Sequence, residues 1–313
     1  MSNKKEERTN IFMVVDMHMH LADSRIYPDY WIYNVKKSMK QDLEKEIAIE
    51  ETDKIIQTYI NNTLNDFSGR KMIALMDECG IDKAVVLHAD FGYGREDLEK
   101  IYEIIEIHHT MLKKYPERLI MFAGIDPRRE KKGISLFKKC IEEYNFSGLK
   151  LYPPCGYEID DKRLYAFYEI CNHYRLPVLI HVGPSWEGMK STFNYPNSIL
   201  KVADEFTDIP FILGHAALLY YEESYRLPLL KNNIYLETSG YQKILDQETL
   251  LKDRMKNLME YCPDKIVFGS DWPMYRSVKQ DISFFESFDF MTDYYKENFF
   301  YKNALDILSM KRV

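Results

Sequence analysis

Five residues of the types used in metal-assisted chemistry fall at regular stations along the chain. In MVVDMHMH (13–20), Asp16, His18 and His20 are spaced by two. On an extended strand that spacing puts all three on one face and Val15, Met17 and Met19 on the other. Two neutral imidazoles aimed together from a strand end are ready ligands for zinc or a similar divalent ion; taken alone, the motif also fits a pair of hydrogen-bonded core histidines. His181 closes LIHVG, His215 closes ILGHA and Asp271 closes VFGSD. Four histidines and an aspartate at the ends of four apolar runs favour a shared metal site over coincidence.

Holding those ends together requires a particular architecture. Eight short runs rich in β-branched residues recur at 13–20, 83–89, 119–126, 146–153, 177–183, 210–216, 233–239 and 265–271. Each is nearly continuous in apolar residues, as strands buried on both faces are, and each precedes a stretch with helical spacing. Leu98, Ile101, Ile105, His108 and Leu112 recur at helical intervals after the second run. Eight β/α units read as an α/β chain folded into a single (β/α)8 TIM barrel over 1–313, with all five residues at its carboxyl mouth. Residues 21 to about 70 form a charged, largely helical insertion after the first strand, either a lid over the site or a surface excursion. RKMIALMDECGI then reads as the first barrel helix and KNALDIL as the last.

Composition narrows the function classes. Apolar residues make up 46% and aromatics 14%, enough for a continuous core. A net charge of −7 without a basic block excludes a nucleic-acid surface as the expectation. Five cysteines without paired spacing fit a reducing compartment, and the apolar run IFMVV is too short for a signal sequence or membrane span, so a cytoplasmic protein with a small-molecule substrate and no membrane partner is expected. Oligomeric state is left open, a homo-oligomer included.

The segments DMHMH, GLKLYP, LIHVG, GHAA, ETSG and FGSDWP, in that order over nearly the whole chain, resemble the amidohydrolase superfamily. The likeness is greatest to the amidohydrolase-related branch that includes the aminocarboxymuconate-semialdehyde-type decarboxylases. The resemblance implies that His18, His20, His181 and Asp271 bind the metal. It further implies that His215 is an acid/base group beside one ion or a ligand of a second. Lys150 in GLKLYP stands where some superfamily members carry a carboxylated lysine bridging two ions; pairing with a substrate carboxylate or with Asp271 is the other reading. One divalent ion per chain, zinc by preference, is the working expectation, with two as the alternative.

Around these lie residues of less specific type. Tyr152, Tyr157, Trp186 and Trp272 follow strands and suit the walls of a flat-substrate pocket; Arg25, Lys190 and Arg276 stand where a carboxylate clamp could sit. Glu237 suits support of a ligand from behind and His88 suits the pocket lining, while Cys155 is given no role. His108, His109 and His173 belong to helical stretches and read as packing or surface residues. The leading expectation is a hydrolase in which bound water, its pKa lowered from about 15.7 toward 7, attacks a small, carboxylated substrate and Asp271 relays the proton. A decarboxylase of the same family is the alternative, and a catalytically silent metabolite-binding barrel the third reading.

Overall fold

The computed structural model describes residues 12–43, 49–92, 98–186, 188–215, 218–241, 247–275 and 278–310. The apolar runs become β1 (Val15–Met19), β2 (Lys83–Leu87), β3 (Leu119–Gly124), β4 (Leu149–Leu151), β5 (Val178–His181), β6 (Phe211–Gly214), β7 (Ile234–Glu237) and β8 (Ile266–Val267). All are parallel and pair in sequence order from β1 to β8. The ring is drawn shut by backbone bonds between β1 and the segment around β8. Met17 N–H donates to Phe268 O (2.9 Å), Asp271 N–H to His18 O (2.7 Å) and His20 N–H to Trp272 O (2.7 Å). Two of these three bonds involve a site residue directly, so the contacts that close the barrel also fix His18, His20 and Asp271 in place.

One side chain or two from almost every strand fill the barrel: Val15, Met17, Val85, Leu87, Phe122, Leu179, Ile212, Tyr235 and Val267, with Ala304 and Ile307 of the last helix packed against them. Opposite faces pack outward on the helices, as Val14, Ala84 and Met121 do. Burying an aliphatic side chain of this size contributes about 1.5–3 kcal/mol, which makes this inner cluster a rigid floor for the mouth.

The expected strict alternation along β1 does not hold. Its register against β2 shifts between Asp16 and Met19. The extra residue lets Met17 join the interior with Val15 while His18 still reaches the mouth, and Met19 packs in the outer layer. Asp16 therefore does not share the histidines' task; its carboxylate accepts the N–H of His18 (2.9 Å) and of Ser270 (3.1 Å), pinning β1 to the chain after β8.

After β1 the insertion folds as α1 (Asp29–Leu43) and α2 (Ile49–Thr63), and α3 (Arg70–Cys79) is the first barrel helix, stopped by Gly80 at φ 71°. α4 (Leu98–Lys114) follows β2. Among the described residues no helix is long and apolar enough to cross a membrane.

Candidate metal centre and substrate pocket

Three imidazoles at the mouth are locked from behind. His18 Nδ1 lies 2.6 Å from Glu237 Oε2, His20 Nδ1 2.8 Å from Leu87 O, and His215 Nδ1 3.1 Å from Ser239 O and 2.8 Å from Ser239 Oγ. Carbonyl and carboxylate oxygens only accept, so each Nδ1 carries the proton and each Nε2 is left with a bare lone pair. Ser239 Oγ donates to Glu237 Oε2 (2.8 Å), and the Ser239 N–H donates to Glu237 Oε1, so one carboxylate and one serine orient two histidines.

The bare nitrogens of His18 and His20 face a third acceptor: they lie 3.6 and 3.4 Å from Asp271 Oδ1. His18 Nε2 is buried with no hydrogen-bond partner. Three electron-rich atoms this close repel unless a cation sits among them, and an ideal tetrahedral zinc site spaces its N and O ligands by about 3.3 Å. The donor set therefore fits a divalent ion. His18, His215 and Glu237 also offer ligand atoms within 4.8 Å of one another, but that group is already joined by the hydrogen bonds through Ser239 and serves as support.

Electrostatics point the same way. Burial, reinforced by the Lys150 charge, lowers His18 well below its ordinary range, and burial lowers His181 and His215, so all three imidazoles are neutral. Lys150 is 2% exposed, its Nζ lacks a hydrogen-bond partner, and burial lowers its pKa to about 8. Of the alternatives the sequence left for Lys150, direct pairing with Asp271 is not formed; Lys150 feels Asp271 and Glu237 only as neighbouring charges.

Local backbone explains how the side chains reach the mouth. His215 (φ 60°) and Asp271 (φ 57°) both adopt the left-handed conformation, which re-aims the residue ending each run at a cost of order 1–3 kcal/mol. Glycine makes the necessary room. A Cβ on Gly269 would stand 2.2 Å from Glu237 Oε1 and 2.8 Å from His18 Cβ, and one on Gly183 2.4 Å from His215 Cβ.

Above this floor the pocket is walled by aromatic and apolar groups: Tyr27, Trp31, Phe91, Tyr152, Trp186, Leu218, Met274 and Tyr275. Tyr152 packs on His181 at 4.6 Å and edge-on against Phe91 at 5.2 Å. Thus Tyr152 and Trp186 stand where the sequence suggested. Trp272 does not: it lines a separate surface cavity with Ala74, Leu75 and Glu78 of α3, because its backbone is held in the bridge to Met19 and its side chain leaves on the outer side. His181 lines the pocket, but its Nε2 lies 3.0 Å from Pro184 O, and it belongs to neither converging ligand group. Arg276 lies outside the described residues.

The remaining candidates stand back. Arg25 pairs with Asp23 (2.5 Å), Lys190 lies over Phe193, and Cys155 Sγ points to Asp90 O. Tyr157 supports the wall from beneath, its hydroxyl accepting the Tyr152 N–H (2.7 Å). His88 packs against His108 at 5.0 Å behind the pocket. Sequence reasoning missed Tyr27, Trp31, Phe91, Tyr275 and Ser239. The aromatic density of RIYPDYW and the serine beside Glu237 in ETSG were the available signals.

A family model described as amidohydrolase matches residues 15–309. No curated protein matches the chain. Solved structures do. An uncharacterized TIM-barrel protein from Bordetella bronchiseptica is 18% identical, with a TM-score of 0.70 over 96% of this chain and 99% of that one. The 5-carboxyvanillate decarboxylase of Novosphingobium aromaticivorans, complexed with manganese and 4-hydroxy-3-methoxy-5-nitrobenzoic acid, is 18% identical, with a TM-score of 0.68 over 95% and 96%. A 2,6-dihydroxybenzoate decarboxylase complexed with 2,6-dihydroxybenzoate is 14% identical, with a TM-score of 0.66 over 95% and 99%. At these identities the likenesses establish the fold.

Proposed function

The chain belongs to the amidohydrolase family, and from that premise we propose that it is a divalent-metal-dependent carboxy-lyase releasing carbon dioxide from a small, flat carboxylic acid. The observation that carries this reading is the pairing of an aromatic slot with an electron-rich His18–His20–Asp271 floor and the buried Lys150 beside it. Slot, floor and cation suit a planar anion. Two of the structural neighbours are named as decarboxylases of aromatic acids, which supports carboxy-lyase chemistry above the hydrolysis that the sequence first suggested.

His18, His20 and Asp271 would hold the ion, zinc or the manganese named in one neighbour. Bound there, a divalent ion supplies Lewis-acid polarisation of a substrate oxygen. The chain's own residues account for the rest. Aromatic walls align the ring and exclude water, and the Lys150 charge draws the carboxylate to the floor. The bond between ring carbon and carboxyl carbon breaks, its electron pair stays on the ring carbon, and a proton relayed by His215 and Asp271 takes the place of carbon dioxide. His215 suits the relay because Ser239 fixes its Nδ1–H and leaves Nε2 free.

The deciding experiment is a screen of manganese- and zinc-loaded protein against carboxylated phenols, esters, lactones and amides, following carbon dioxide and acid release separately. Carbon dioxide from a carboxylated aromatic, lost on chelation, is the expected result. Acid release without carbon dioxide would assign hydrolysis instead, and metal-loaded protein silent on every class would leave a binding barrel.

A further inference from the structure

The helical insertion makes a second space that the reaction as described does not use. A cavity of about 220 Å³ lies between α1, α2 and the barrel mouth, against about 120 Å³ for the pocket over the metal ligands. Val35 and Met39 of α1 and Ile60 of α2 form its far side. Trp31, Trp186 and Met274 line both spaces, so the two share a wall. Among the described residues no charged side chain lines the second cavity. Charges sit on the hairpin's outer face, where Lys40 bridges the helices to Asp53 (2.8 Å), and Tyr59 Oη on α2 donates to Met274 O (3.3 Å), tying the hairpin to the shared wall.

A surface excursion has no need of an inner chamber walled mainly by Val35, Met39, Ile60, Leu64 and two tryptophans, and a lining of that kind, with Tyr59 and Thr63 its polar members, takes up apolar groups. We propose that this chamber is a substrate subsite: the acid processed at the floor carries a hydrophobic substituent on the side away from its carboxylate, and that substituent passes Trp31, Trp186 and Met274 to lie between α1 and α2. The substrate class is then an aromatic acid with an alkyl or second-ring tail. The inference rests on the carboxylate reading only for which end of the molecule meets the floor.

Calorimetry on manganese-loaded protein with benzoate and its 4-methyl to 4-butyl series tests it, with the matching benzamides as neutral partners. Each added methylene is expected to tighten binding about threefold to fourfold until the chamber is full. Val35→Phe and Ile60→Phe, which fill the chamber from its far side, should abolish that gain and leave benzoate binding unchanged. Affinity that is flat along the wild-type series overturns the subsite without any variant having to fold. So does a filled variant that weakens benzoate and 4-butylbenzoate equally. The two readings fail separately: a chain-length gain in acids and amides alike, with carbon dioxide released from none of the carboxylated phenols, refutes the lyase and keeps the subsite. Carbon dioxide release with no chain-length gain does the reverse.

Discussion

At His18 the contact that decides chemistry lies behind the ring. Glu237 Oε2, 2.6 Å from Nδ1, fixes the tautomer and adds negative charge to the imidazole, and burial raises the carboxyl's own pKa. Glu237→Gln keeps an acceptor for Nδ1–H but removes the charge. Supporting groups of this kind are worth about 10- to 100-fold in metal affinity, so manganese affinity measured against a competing chelator should fall by about tenfold or more. Thermal stability of the metal-free protein should change little by comparison. A stability loss with unchanged affinity would make Glu237 a packing residue only. At this scale the sequence showed the ligand types but not their commitments. That His181 Nε2 meets the Pro184 carbonyl depends on a loop path after β5 that no spacing rule encodes.

The elements do the aiming, and glycine permits it. The segment after β8 passes so close to β1 and β7 that Gly269 leaves no room for a methyl group between Glu237 and His18. Gly269→Ala should therefore destabilise the fold by about 1–3 kcal/mol and displace one metal ligand, seen as a lower urea midpoint together with weakened metal binding. An alanine variant with wild-type midpoint and affinity would show that the approach is looser than described. The eight strands and the first barrel helix were legible because continuous apolar runs and a Gly stop signal are local properties. The bulge in β1 was not, since MVVDMHMH reads as clean alternation and only pairing with β2 shifts it. Trp272 was misplaced for a related reason: the left-handed turn at Asp271 sends the next residue outward. Tyr27 and Trp31 sit in the insertion, close in sequence to the end of β1 but remote from the other strand ends they cover.

For the whole molecule, acid acts through buried histidines. Burial lowers His18, His88, His181 and His215, and takes His108 to about 4. The unfolded chain takes up these protons near pH 6.5 and the folded chain refuses them, so their contribution is complete above about 6.5 and lost as pH falls. Asp16 and Glu237 act oppositely: burial raises both, Asp16 to about 7, so their contribution is present in acid and lost as pH rises. For His108 alone the shift from 6.5 to about 4 corresponds to about 3 kcal/mol. Urea unfolding of metal-free protein between pH 7 and 4.5 should show a shallower decline for His108→Gln than for wild type. Identical declines would mean that His108 titrates normally. The barrel and its mouth were legible at this scale because parallel β/α order dictates where strand ends meet. The chamber under the hairpin was not, because it depends on how α1 and α2 dock on the barrel.

All of this converges on one claim, that the bare nitrogens of His18 and His20 and the Asp271 carboxylate hold a divalent ion. Calorimetric titration of metal-free protein with manganese, in wild type and in His18→Ala, tests it most directly. One saturable site per chain is predicted, lost in His18→Ala while that variant keeps its circular dichroism and cooperative unfolding. Undiminished manganese binding in His18→Ala, or no saturable site in the wild type, would contradict it.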